Sequence, residues 1–132
     1  MAAEVKVTGQ KKISTLQAEF TECYPYLGLM FFTEEEFEKS KAGEKIRPLN
    51  PDQTIASVRT RTTGEDISMH GRTHVGTIEN AFLEGYGLYV QICKSEGGKR
   101  KYTGGGYDSM SLTEISRKGE ADGWDKWSYA RP

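Results

Sequence analysis

The sequence has few of the features that mark a particular class of protein. Its only cysteines, Cys23 and Cys93, lie far apart, and neither belongs to a CxxC motif or a Cys/His cluster. This spacing argues against both a disulfide framework and a zinc site. The longest apolar run, from Tyr24 to Phe32, is much shorter than the roughly 20 residues that a membrane helix needs.

Neither sign of charge prevails, because 18 Lys and Arg residues stand against 19 Asp and Glu residues. We therefore do not expect a protein that binds nucleic acid or anionic membranes mainly through charge. The chain has 132 residues, of which 36% are hydrophobic and 28% charged, values typical of one soluble domain spanning residues 1–132. The first twelve residues contain no apolar run of the kind found in signal peptides, so we expect a cytoplasmic protein.

Two segments of the chain resemble each other when residues 5–24 are laid over residues 67–86. Apolar character is kept at several further positions, including Val5 over Ile67. The similarity predicts two related units, at about 4–63 and 66–118, followed by an aromatic tail at 119–132. The identical pairs are Gly9/Gly71, Thr15/Thr77, Phe20/Phe82, Glu22/Glu84 and Tyr24/Tyr86.

The pattern predicts that each unit consists of a strand, a helix, a strand, a return strand and a short helix. Leu16, Phe20 and Tyr24 recur every four residues and so lie on one face of a helix. We expect the strands that flank this helix to be parallel in one sheet, with a right-handed crossover. The fold class predicted is α+β, with the two units related by an approximate twofold and sharing one core.

Local signals place the remaining elements. Residues 14–17 match a capping box, Thr33 precedes a helix inserted before Gly43, and Thr54 and Ser111 precede two short helices. The glycine-containing segment at 94–102 predicts a hairpin that returns along the second unit's strand, and residues 43–49 are its expected counterpart in the first unit.

The passages Thr15 to Phe32 and Thr77 to Cys93 share a helix-to-strand pattern. In these passages the chain resembles a family of small uncharacterised bacterial proteins built from two similar strand-helix-strand units. The resemblance covers about residues 5–117 and implies no activity, cofactor or catalytic residue. The acidic insertion at 34–41 and the Trp-rich tail are departures from that family.

No group of residues predicts catalysis, a cofactor or a metal site. His70 and His74 have a spacing that would suit metal binding on a helix, but Gly71 and the strand-to-turn context break that geometry. The glycines of residues 102–108 lack the lysine of a phosphate-binding loop and suggest a flexible hairpin end.

Three sets of residues are candidates for binding. Aromatic residues in the tail suit either an interface or the chain's own core, and both alternatives stay open. Basic residues on the predicted hairpin suit an exposed edge strand or, less well, a nucleic-acid backbone. The three sets are Trp124, Trp127 and Tyr129 in the tail; Lys99, Arg100 and Lys101 on the hairpin; and Tyr24 and Tyr86, for a pocket between the units.

These observations favour a non-enzymatic interaction or self-assembly module that associates with itself or a protein partner through sheet edges and the tail. The first alternative is a small-molecule-binding protein or enzyme with its pocket between the two units. The second alternative is a weak nucleic-acid binder.

Overall fold

A computed structural model of the chain describes residues 4–60, 67–103 and 107–129. These residues form both helices and antiparallel strands, which confirms the predicted α+β class. The elements are β1 (Glu4–Lys6), α1 (Ile13–Cys23), β2 (Gly28–Thr33), α2 (Glu34–Lys41), α3 (Ile55–Val58), β3 (Ser68–His70), α4 (Val75–Tyr86), β4 (Leu88–Glu96), β5 (Lys99–Tyr102) and α5 (Leu112–Asp122).

The strands form two antiparallel sheets. β1 pairs with β3 in a two-stranded sheet, and a three-stranded sheet has the order β2-β4-β5. The predicted parallel crossover is wrong, because β1 and β2 lie in different sheets and each pairs with a strand from the other half of the chain. Both ladders thus join residues 4–60 to residues 67–103.

One buried cluster of apolar side chains draws on both halves. Phe20 of α1 and Phe82 of α4 are fully buried, and the Phe31 and Phe82 rings meet edge to face with centroids 5.4 Å apart. Alternate residues of β2 and β4, such as Leu29 and its ladder partner Ile92, face the same cluster. Helices α1 and α4 therefore cover one face of the three-stranded sheet, and the opposite face is its outer face.

The helices begin in two ways. The hydroxyls of Thr33, Thr54 and Ser111 accept hydrogen bonds from backbone amides in the first turns of α2, α3 and α5, which confirms the predicted caps. By contrast, α1 and α4 have no side-chain cap. The capping box predicted at residues 14–17 is wrong, because α1 starts at Ile13, whose amide donates to the Gln53 carbonyl instead.

The two halves make matching backbone hydrogen bonds. They follow the correspondence that the sequence comparison suggested, and each of the two ladders between the halves pairs one residue with its own counterpart, Lys6 with Ser68 and Met30 with Gln91. The duplication itself remains a prediction. Three bonds of the first half, each written from amide to carbonyl, have a counterpart in the second half. The pairs are Ile13 to Gln53 and Val75 to Met110; Ile55 to Lys11 and Leu112 to Thr73; and Ala56 to Gly9 and Thr113 to Gly71.

Two predicted boundaries differ from the structure. Residues 44–50 form no strand, so the return strand predicted at 43–49 is wrong. Pro48 has no amide hydrogen with which to join a ladder, and only the Leu49 amide reaches β2, at the Phe31 carbonyl. At the other end, α5 continues to Asp122, so the tail begins at Gly123 rather than at residue 119.

Candidate functional site

The tail packs on the chain's own core. Trp124 and Trp127 are only 5% and 7% exposed. Trp124 joins the main apolar cluster, and the Lys94 ammonium lies 4.5 Å from its ring centroid. Of the two alternatives that the sequence left open for these tryptophans, the structure shows packing on the chain itself. The prediction that these tryptophans act as exposed interface anchors is therefore wrong, because burial leaves little of either indole for a partner to contact.

Trp127 lies directly on Gly28 at the start of β2. A Cβ atom at residue 28 would stand 2.1 Å from the indole, so only glycine leaves room for it. The Arg100 guanidinium covers the ring at 4.5 Å from its centroid. The buried indole N–H of Trp127 has no hydrogen-bond partner among the described residues.

Tyr129 closes the outer edge of β2. Its hydroxyl accepts a hydrogen bond from the Leu29 amide at 2.9 Å and lies 3.0 Å from the Thr21 hydroxyl. Burial raises the pKa of Tyr129 to about 12, so the phenol stays protonated. On the same edge, the Gln17 side chain donates to the Leu29 carbonyl, and the Leu49 amide donates to the Phe31 carbonyl.

The predicted basic residues Lys99, Arg100 and Lys101 lie on β5, the opposite edge of the sheet. Both lysines are exposed, while Arg100 is half-buried under its contact with Trp127. Tyr102 follows them with 50% of its surface exposed, more than any other large hydrophobic side chain in the described ranges. A cavity of about 310 Å³ opens beside this strand, and its lining includes Met30, Cys93, Tyr102 and Trp127.

The thiol in this cavity is poorly suited to nucleophilic chemistry. Burial raises the pKa of Cys93 to about 12, so the thiolate that would attack an electrophile is scarce at neutral pH. Burial and the neighbouring Glu22 and Glu19 also raise the pKa of Cys23.

The two tyrosines predicted to share a pocket have different surroundings. Tyr24 lines a cleft of about 600 Å³ between the end of α1, the turn after β3, and α5. Tyr86 does not line that cleft; its ring lies under Arg59, with the guanidinium carbon 5.6 Å from the centroid. The prediction of a shared pocket is therefore wrong. Helix α1 ends beside residues of the second half, whereas α4 ends beside residues of the first half.

The two histidines also separate. His70 lines the Tyr24 cleft, whereas His74 is the exposed residue before α4 and bridges to Ser111. No three metal-ligating side chains cluster within residues 4–60, 67–103 and 107–129. The glycines at 104–106, considered above as a phosphate loop, lie outside the described residues.

Sequence reasoning missed Gly28, Arg72 and Arg117. The exposed side chains of Arg72 and Arg117 line the Tyr24 cleft. The sequence did contain a signal for the two arginines, because the matching residues in the first half, Gln10 and Thr60, are uncharged. Gly28 gave no such signal, because its partner Trp127 is nearly a hundred residues away.

Comparisons with protein-family models, curated proteins and solved structures found no match. The resemblance to a small bacterial family therefore stays a prediction. In the described ranges, every helix is too short or too polar to cross a membrane.

Proposed function

We propose that the protein is a non-enzymatic interaction module that binds an acidic, extended segment of a partner protein along the outer edge of β5. The observation that carries this proposal is the difference between the two edges of the three-stranded sheet. The β2 edge is closed by contacts from the chain itself, whereas β5 ends the sheet as described and presents cations and an exposed aromatic ring.

The β2 edge has no room for another strand. Both backbone groups of Leu29 are bonded, its amide to Tyr129 and its carbonyl to Gln17. The Phe31 carbonyl is bonded to the Leu49 amide. An incoming strand would have to displace the tail and the segment before α3.

The geometry of β5 suits strand addition. The Thr103 amide donates to Ile92, and Lys101 stands opposite Lys94 in the ladder. Because antiparallel residues alternate in the direction of their hydrogen bonds, the backbone groups of Tyr102 point away from β4. The nearby cavity, whose lining includes Met30, Tyr102 and Trp127, offers space for a side chain of the added strand.

Charge determines the choice of partner. Three consecutive cations occupy β5, so a second copy pairing there would place like charges opposite one another. Lysines on an edge discourage such self-pairing. An acidic strand gains from the same charges, which favours a different protein over a second copy of this one.

The test is a titration with an eight-residue peptide of alternating Glu and Val, compared with the corresponding Lys and Val peptide. We expect the acidic peptide to shift the amide resonances of Lys101 and Tyr102, and the basic peptide to leave them unchanged. Tyr102→Pro removes the outward-pointing N–H and leaves the β4 ladder intact. It should weaken binding about tenfold relative to Tyr102→Ala, which keeps that N–H.

Equal binding of both peptides, or equal affinities of the two Tyr102 variants, would overturn the proposal. Two further measurements test other binding partners for this edge: light scattering tests a second copy of the chain, and titration with an oligonucleotide tests nucleic acid. A dimer that Tyr102→Pro dissociates would favour a second copy instead. Tighter binding of a twelve-residue oligothymidine than of the acidic peptide would favour nucleic acid.

A further inference from the structure

The Tyr24 cleft is a second place where the structure gathers groups that suit a ligand. Its volume is about 600 Å³, and it shares no lining residue with the cavity beside β5. Elements of both halves form it, with α1 on one side and the β3 turn and α5 on the other. The lining residues used below are Tyr24, His70, Arg72, Thr113, Ser116 and Arg117.

Arg72 and Arg117 bring two guanidinium groups to this cleft. Neither forms an ion pair within the described ranges, whereas several lysines elsewhere do, such as Lys11 with Glu19 and Lys118 with Asp122. A guanidinium has five N–H donors in a rigid plane and binds carboxylate or phosphate oxygens through two parallel hydrogen bonds. Two such groups in one cleft therefore favour an anionic ligand.

Hydroxyl groups add further donors. Burial raises the pKa of Tyr24 to about 12, so its phenol keeps its proton at neutral pH. The Thr113 hydroxyl lies only 2.3 Å from where a Cβ at residue 71 would stand, so Gly71 is what lets it approach the turn. Ser116, one turn further along α5, is short and leaves the cleft open.

Two carboxylates at this cleft limit the charge of the ligand. Glu4 and Glu120 line it, and Glu4 accepts a hydrogen bond from the Ser68 hydroxyl. Both would repel a polyanion such as nucleic acid. They are compatible with a small ligand that carries one anionic group and further polar groups.

The matching place in the first half shows that the fold does not require these arginines. There Arg59 takes the position of Ser116, and its guanidinium lies over the Tyr86 ring. Gln10 takes the position of Arg72, and Thr60 that of Arg117. The same backbone contacts thus form without either arginine.

We propose that the Tyr24 cleft binds a small organic anion through its carboxylate or phosphate group, with Arg72 and Arg117 as the principal ligands of that group. The proposal is independent of the β5 surface, because the two sites share no residue. A protein that fails to bind acidic peptide can still bind this anion, and the reverse also holds.

The test is an amide-resonance titration of the full chain with inorganic phosphate and, separately, with acetate. We expect saturable shifts at Gly71, Thr113 and Ser116 with at least one probe, and the tighter of the two identifies the anionic group. Arg72→Gln and Arg117→Thr install the residues of the first half and should each weaken binding about tenfold. Arg47→Gln, on an exposed segment, makes the same change of charge elsewhere and should leave binding unchanged.

Shifts that do not saturate, or that Arg47→Gln reduces as much as Arg72→Gln does, would overturn the proposal. The unbound spectra of the variants serve as the folding control. A variant whose unbound spectrum collapses is replaced by Arg72→Lys, which keeps the charge and removes the planar fork. Unchanged affinity in a folded Arg72→Lys variant would also count against guanidinium recognition.

Discussion

The two halves of the chain use similar backbone contacts to hold different side chains. In the first half, Gln17 of α1 donates its amide to the Leu29 carbonyl of β2. The matching residue in the second half is Glu79 of α4, whose carboxylate has no proton to donate when ionised. Burial and the nearby Asp108 raise the pKa of Glu79 to about 7. Matching positions therefore hold a hydrogen-bonded amide in one half and, in the other, a half-buried carboxyl whose ionisation is disfavoured.

The outer face of the sheet differs in the same way. Gly28 is covered by Trp127 from the tail, and its counterpart Tyr89 is covered by Phe37 from α2, with ring centroids 4.0 Å apart. Each half therefore relies on an added segment that the other lacks. Shared backbone contacts thus form a common framework, while the candidate sites lie where the side chains of the two halves differ.

Each half of the chain depends on the other half for its folding. We expect fragments 1–63 and 64–132, expressed apart, to show no cooperative thermal transition. Within residues 4–60, both strands, β1 and β2, pair with strands of the second half, so a lone first half loses both ladders and much of its core. Circular dichroism melts of each fragment are the measurement.

Mixing the two fragments is the matched control, because the interfaces that each lacks are then restored. A cooperative melt from either fragment alone would show that the halves are independent domains, and the shared core would then not be required for folding.

Gly28→Ala probes the segment that distinguishes the β2 side of the outer face. The added methyl overlaps the Trp127 ring, so the tail must move, and we expect a loss of about 3 kcal/mol in the free energy of unfolding. Urea denaturation measures it. If the indole is the obstacle, the same change in a Trp127→Ala background should cost less than about 1 kcal/mol. Equal costs in the two backgrounds would exclude the indole as the cause.

The sequence predicted the elements whose signals are local. Thr33, Thr54 and Ser111 cap helices as expected, since each cap needs only the residues that follow it. The α+β class also followed from local periodicity. The start of α1 could not be predicted in this way, because its first amide bonds to Gln53, forty residues away.

The candidate sites were predicted less completely than the fold. The basic residues of β5 were identified, because three adjacent cations are visible in the sequence. The burial of Trp127 was not predictable, since its indole packs on Gly28 in β2, nearly a hundred residues away in the sequence. Nor did the sequence show that Tyr24 and Tyr86 have different surroundings. That difference comes from residues in other elements, because Arg59 lies over Tyr86 whereas Ser116 lines the cleft beside Tyr24.

The difference between Gln17 and Glu79 predicts a small dependence of stability on pH. A carboxyl whose pKa is raised on folding binds more protons in the folded than in the unfolded state. The protein should therefore lose stability as pH rises from about 4.5 to about 7, where Glu79 ionises in the folded state. Because the side chain is partly exposed, solvent screening limits this loss to about 1–2 kcal/mol.

Glu79→Gln gives the second half the amide of the first and removes the titrating group. We expect urea denaturation at pH 8 to show a gain in stability of about 1 kcal/mol, and a flatter dependence on pH between 4.5 and 7. Glu35→Gln, on the exposed face of α2, is the control and should change neither. The converse variant, Gln17→Glu, should lose stability on raising the pH in the manner of Glu79. An unchanged pH profile in Glu79→Gln would show that this half-buried carboxyl does not cause the pH dependence, since it is the only titrating group that the variant removes.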